Sequence, residues 1–128
     1  MGEKDLEVLL NLQWQSHLES WNRIVFMDLQ ELTKAMHEFV RAQGWYEADS
    51  PRPQTLRNLA ISLNLEASEV LEHFQWKQDL TDSPALAGEL ADVALYLLQI
   101  ASIAGIDLEK AILEKLEHNY GRTWDEVE

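Results

Sequence analysis

Two pairs of acidic residues are the part of this sequence best placed to do chemistry: Glu66 with Glu69 and, after nineteen intervening residues, Glu89 with Asp92. Within each pair the carboxylates are three positions apart, which on a helix puts them on one face about a turn apart. Their surroundings are apolar. Leu63-Asn64-Leu65 and Val70-Leu71 frame the first pair, and in the segment Ala85 to Ile106 the second pair supplies the only ionisable side chains besides the phenol of Tyr96. A carboxylate buried without a partner costs several kcal/mol or is neutralised by a raised pKa. Four of them brought together, with no basic residue nearby in sequence, need a cation to stay ionised. All-oxygen carboxylate sites suit magnesium or manganese, often as two ions, and such ions also bind substrate phosphates. One acidic pair at this spacing is usually just solvated; two on consecutive helices in apolar surroundings are a more specific signal. A di-iron carboxylate site is the chemical rival, but it needs a histidine three positions after a glutamate, and neither His73 nor His118 stands at that spacing.

The elements that must position these acids read as helices throughout, since apolar residues recur at spacings of three and four and strict alternation is scarce. A first helix is expected over about Asp5 to Asn22, with Leu6, Leu9, Leu10, Leu18 and Trp21 as its apolar positions. A second starts at Asp28, a good N-cap, carries Leu29, Leu32, Met36, Phe39 and Val40 on one face, and stops at Gln43-Gly44. After a loop with Pro51 and Pro53, a third is expected from Leu56 to Lys77. Ser83 as cap and Pro84 at the first helical position predict a fourth, ending at Gly105 and apolar on nearly every side, the mark of a buried helix. Asp107 caps a fifth, through about Asn119. Short connections imply antiparallel neighbours, hence an all-α four-helix bundle core with an extra N-terminal helix. If the third and fourth helices pack antiparallel, the two acidic pairs converge.

Composition limits what such a site can serve. The 128 residues suffice for one domain, and 46% of them are apolar, so disorder is not expected. There is no cysteine, which excludes disulfides, thiolate metal sites and cysteine nucleophiles and fits a cytoplasmic location. The longest apolar run, Val93 to Ile106, is short for a bilayer and is interrupted by Gln99 and Ser102, so no membrane partner is expected. Twenty-three acidic against ten basic residues give a net charge of −13. That surface repels a nucleic-acid backbone, and any phosphate it handles must be escorted by metal cations.

The run Leu63-Asn64-Leu65-Glu66-Ala67-Ser68-Glu69-Val70-Leu71-Glu72-His73-Phe74-Gln75-Trp76, followed by Glu89-Leu90-Ala91-Asp92-Val93, resembles the MazG-like nucleotide pyrophosphohydrolases, whose motif is E-x-x-E, a spacer, then E-x-x-D. Arg57-Asn58-Leu59, Tyr96, Gly105-Ile106-Asp107-Leu108 and Lys115-x-x-x-Asn119 add to the likeness, which covers about Asp28 to Arg122. Phe74-Gln75-Trp76 leans toward the dCTP-pyrophosphatase branch. The resemblance implies a four-helix fold of the all-α NTP pyrophosphatase type, assembled as a homodimer or homotetramer. It also implies magnesium-dependent cleavage of nucleoside triphosphates to monophosphate and pyrophosphate, a nucleotide-pool housecleaning activity. By position Glu66, Glu69, Glu89 and Asp92 match the family's metal ligands and catalytic acids. Lys115 and Asn119 match contacts to phosphate or sugar, and Trp45, Trp76 and Tyr96 match aromatic positions near the base, where plain core packing is the competing reading of each. Gly121-Arg122-Thr123-Trp124 stands where many relatives have Lys-Tyr-Pro, which makes Arg122 the candidate replacement for that lysine. His37 sits one position off a histidine that some relatives carry. Residues 1–26 have no counterpart, so the expected division is an N-terminal helical extension, 1–26, before a MazG-like domain, 27–128. The alternative function is a catalytically silent helical interaction or oligomerisation protein of the same fold.

Overall fold

The computed structural model describes residues 27–123 and, of the stretch before them, residues 2, 4, 5, 8, 9, 12, 15 and 16. Four α-helices and no strand are present among the described residues: α1 Leu29–Ala42, α2 Leu56–Glu72, α3 Ser83–Ile103 and α4 Leu108–Tyr120. The helix expected over Asp5 to Asn22 falls mostly outside the described residues.

Each helix opens on a side chain that accepts a hydrogen bond from an otherwise unpaired backbone N–H. Asp28 accepts from Glu31 N at 2.8 Å while Glu31 returns a bond to Asp28 N, a reciprocal box that fixes the start of α1. Thr55, Asp82 and Asp107 do the same for α2, α3 and α4. The cap of α3 is thus Asp82 and not the expected Ser83: the Asp82 carboxylate reaches Ala85 N, and Ser83 occupies the first helical position ahead of Pro84. Helices α1 and α3 stop where Gly44 and Gly105 turn to positive φ, 74° and 70°, letting Trp45 N bond back to Val40 O and Ile106 N to Ala101 O. Helix α2 ends at Glu72 and not at Lys77. The next bonds, Phe74 N to Leu71 O and Gln75 N to Glu72 O, span three residues and tighten the chain out of the α-helical path.

Helix α3 is the hub. It packs most extensively on α2, then on α1, and only slightly on α4. The core where α1, α2 and α3 meet consists of Met36, Val40, Leu59, Leu98 and Ala101, with Gln99 buried among them. The expectation that α3 is buried on every side does not hold in the single chain. Leu90, Leu95, Leu97 and Ile103 are exposed, because α1 and α2 cover only part of its circumference. Ile112, Leu113 and Leu116 on α4 are open as well. By length and composition α3 could also cross a bilayer, but it carries Glu89 and Asp92 in its own sequence, charges that are expensive in hydrocarbon.

Candidate metal centre and adjoining cavity

Antiparallel packing of α2 on α3 sets the acids opposite one another in matched order. Glu66 feels the charges of Asp92 and Glu89, one helix across, and Glu69 acts on both Glu66 and Glu89, raising the proton affinity of each. Carboxylate oxygens of Glu66, Glu89 and Asp92 lie within 4.8 Å of one another. Five groups therefore meet here, since His73 Nε2 at the end of α2 lies 3.7 Å from Glu89 Oε1. Histidine spacing weakened the di-iron reading, but sequence reasoning gave His73 no place at the site; its signal was only that it follows Glu69 by one helical turn, on the same face.

Like charges this close disfavour full ionisation. The Glu66 carboxyl is pushed above the usual range first by burial, then by its hydrogen bond with Glu69 and the charges of Glu69, Asp92 and Glu89. Glu89 is pushed up chiefly by its hydrogen bond with Glu69, then by burial and the Glu69 charge, against an opposing pull from His73. Glu66 Oε2 is buried and accepts no hydrogen bond from the described residues. An orphaned buried carboxylate oxygen among three other carboxyls, with no lysine or arginine bonded to it, is what a hard cation would satisfy. The donor set is all oxygen, apart from the imidazole at its edge, and fits magnesium or manganese better than a soft metal.

Beside this cluster, between α1, α2 and α3, opens a cavity of about 480 Å³. Glu66 and Asp92 edge it at one end; Phe39, Trp45, Leu95 and Tyr96 contribute apolar walls. Trp45 is held edge-on to Phe39, ring centres 5.6 Å apart, and the Arg52 guanidinium sits 5.3 Å from its ring centre. Along α3 the positions Asp92, Leu95, Tyr96 and Gln99 all line this cavity, as spacings of three, four and seven require of one helical face.

Of the residues singled out in the sequence, the structure thus gathers Glu66, Glu69, Glu89 and Asp92 into one cluster and sets Trp45 and Tyr96 in the adjoining cavity. It does not bring Trp76 there: that side chain is 87% exposed, on the turns that follow the early end of α2. Lys115 and Asn119 on α4 and Arg122 just beyond it are not among the cavity-lining residues of the single chain. The sequence reading also missed Gln54, Tyr46 and His37 as parts of one hydrogen-bonded group behind the cavity.

Fold and site together define a class: an all-α helical protein with a carboxylate cluster suited to a hard divalent cation, opening onto an apolar cavity. The chain belongs to the MazG-like family, whose model matches residues 61–126. Over 103 residues, 73% of this chain and 58% of the relative, it is 33% identical to dCTP pyrophosphatase 1 of Homo sapiens and 32% identical to that of Rattus norvegicus. A dATP/dGTP diphosphohydrolase of Salmonella phage PMBT28 is 35% identical over 85 residues, 66% of this chain and 26% of that protein. Among solved structures, a pyrophosphatase from Archaeoglobus fulgidus is similar with a TM-score of 0.58 and 31% identity, covering 73% of this chain and 90% of that one. The chain spans a little over half the length of the dCTP pyrophosphatases it matches.

Proposed function

We infer that the protein is a divalent-cation-dependent nucleoside triphosphate pyrophosphohydrolase, releasing a nucleoside monophosphate and pyrophosphate. The observation that carries this reading is the meeting of Glu66, Glu69, Glu89 and Asp92 at the mouth of an apolar cavity. Relatives named for dCTP and for dATP and dGTP support a deoxynucleotide as substrate.

Glu66, Glu69, Glu89 and Asp92 would hold the metal, with magnesium the expected ion and manganese its substitute. When bound, it supplies charge neutralisation on the phosphates and acidifies a water. The chain's own residues do the rest. The apolar walls at Phe39, Trp45 and Tyr96 take the flat face of a base and exclude water from it. That anchors the nucleotide with its phosphates toward Glu66 and Asp92. Water attacks the α-phosphorus, a P–O bond forms, and the bond from that phosphorus to the bridging oxygen breaks with pyrophosphate as leaving group. The water's proton passes to a carboxylate of the cluster. Lys115, Asn119 and Arg122 are proposed as phosphate and sugar contacts.

A panel of nucleoside triphosphates incubated with magnesium, with products separated chromatographically, tests this reading. Monophosphate and pyrophosphate in equal amounts are expected; diphosphate with orthophosphate would assign the attack to the wrong phosphorus, and no product would favour the silent helical protein instead.

A further inference from the structure

The far end of the cavity carries a buried amide, Gln99, which is 3% exposed and forms part of the cavity wall. Its orientation is determined from outside. Gln54 Nε2 donates to the backbone carbonyl of Arg52 at 2.7 Å, and a carbonyl can only accept, so the Gln54 amide oxygen faces inward. That oxygen accepts from Gln99 Nε2 at 2.8 Å. The second Gln99 N–H reaches Tyr46 Oη at 3.2 Å. Tyr46, having accepted there, donates its own proton to His37 Nδ1 at 2.6 Å, and His37 Nε2–H donates to Ser102 Oγ at 2.7 Å. Burial and the nearby Arg41 lower the His37 pKa, in keeping with the neutral ring this chain of bonds needs.

Both donors of the Gln99 amide are therefore used, and its Oε1 is left as an acceptor to which none of the described residues donates. On α3, Gln99 lies seven residues beyond Asp92, about 10 Å along the axis. That distance suits a nucleotide with its phosphates at the carboxylate cluster and the far edge of its base at Gln99. We propose that Gln99 Oε1 reads that edge by accepting a hydrogen bond from an exocyclic amine, so that the site selects amino-bearing bases, cytosine or adenine, over their keto counterparts. Gln54 and Tyr46 are positioning residues that stop the amide from turning over. A keto oxygen at the same place would face the Gln99 carbonyl acceptor to acceptor, an unpaired contact in a buried site.

This selection rests on the proposed nucleotide hydrolysis, and matched ligand pairs separate the two. The pairs dCTP with dUTP and dATP with dITP differ in amine against keto oxygen, with the adjoining ring nitrogen carrying a hydrogen in the keto member; kcat/KM is measured for each, and the affinities of dCMP against dUMP and dAMP against dIMP are measured by calorimetry. The amino member is expected to be favoured on the order of tenfold or more in kcat/KM and in affinity. Gln99→Leu, close in shape, is expected to shrink that ratio toward one. Gln54→Leu frees the Gln99 amide to present N–H, and should move the ratio toward the keto member, whereas mere structural damage would lower both members alike. Equal binding of dCMP and dUMP and of dAMP and dIMP by the unaltered protein, or an unchanged ratio in Gln99→Leu, overturns the proposal. Absence of turnover with a preserved monophosphate preference would instead overturn the hydrolase reading and leave the base selection standing.

Discussion

Glu66 and Glu89 connect chemistry to stability through one quantity, their proton affinity. Both have folded-state pKa values above the ordinary glutamate range. Between that range and the raised values the native state binds more protons than the unfolded chain, so stability falls as pH rises through the window and returns on acidification. The metal-free protein is expected to melt at a higher temperature at mildly acidic pH than at neutrality, and Glu66→Gln should flatten that dependence. Melting curves of both proteins without metal check this; a stability that climbs with pH through the window would contradict it. Magnesium at neutral pH should stabilise the unaltered chain, since a ligand that binds only the native state raises its stability by mass action. The four acids were legible from sequence because paired carboxylates at helical spacing in apolar stretches are costly to bury unless a cation joins them. The Gln54–Gln99–Tyr46–His37 chain was not, since it joins residues from a loop and two helices whose register depends on packing. Its only trace was that Gln99 and Ser102 interrupt an otherwise apolar run.

Helix α2 positions two of the acids and depends on a thin core. Leu59, 2% exposed, is its one fully buried large side chain among the described residues and holds it against the α1–α3 junction. Leu59→Ala is expected to cost about 2–5 kcal/mol, a large share of the roughly 5–15 kcal/mol that a domain has. Asp107→Ala, removing the N-cap of α4, should cost only about 1 kcal/mol. Chemical denaturation of both variants measures the contrast; comparable losses would mean that α4 is integrated into the core more deeply than its packing indicates. Helix starts at Asp28 and Asp107 and stops at Gly44 and Gly105 were readable because capping is local chemistry. The end of α2 was not, because Phe74, Gln75 and Trp76 are acceptable helix residues and nothing nearby in sequence breaks the helix.

As a whole, the single chain leaves more apolar surface open than a small domain usually tolerates. Leu90 and Leu97 on α3 and Ile112, Leu113 and Leu116 on α4 are all exposed, and such surface marks an interface. Apolar periodicity read α3 as covered on every side but carries no information on whether the cover comes from the same chain. Self-association, as a dimer or tetramer, is the proposed cover. Residues 1–26 are proposed as an extension that adds to it, because Leu6, Leu9, Leu10, Trp14, Leu18 and Trp21 fall on one broad stripe when read as a helix. Deleting them should leave a folded, magnesium-binding protein that assembles less tightly. Light scattering across a dilution series reads this directly, and an unchanged mass at every concentration would assign assembly to residues 27–128 alone.

The central claim is that the Glu66, Glu69, Glu89 and Asp92 cluster is a catalytic cation site. It is tested most directly by pyrophosphate release from deoxynucleoside triphosphates, measured with and without magnesium in the unaltered protein and in Glu66→Gln and Glu89→Gln. The expected result is release that requires the metal and falls on the order of a hundredfold or more in each variant, while both variants stay folded and at least as stable as the parent without metal. Release that proceeds undiminished in the two variants, or without any divalent cation, would contradict it.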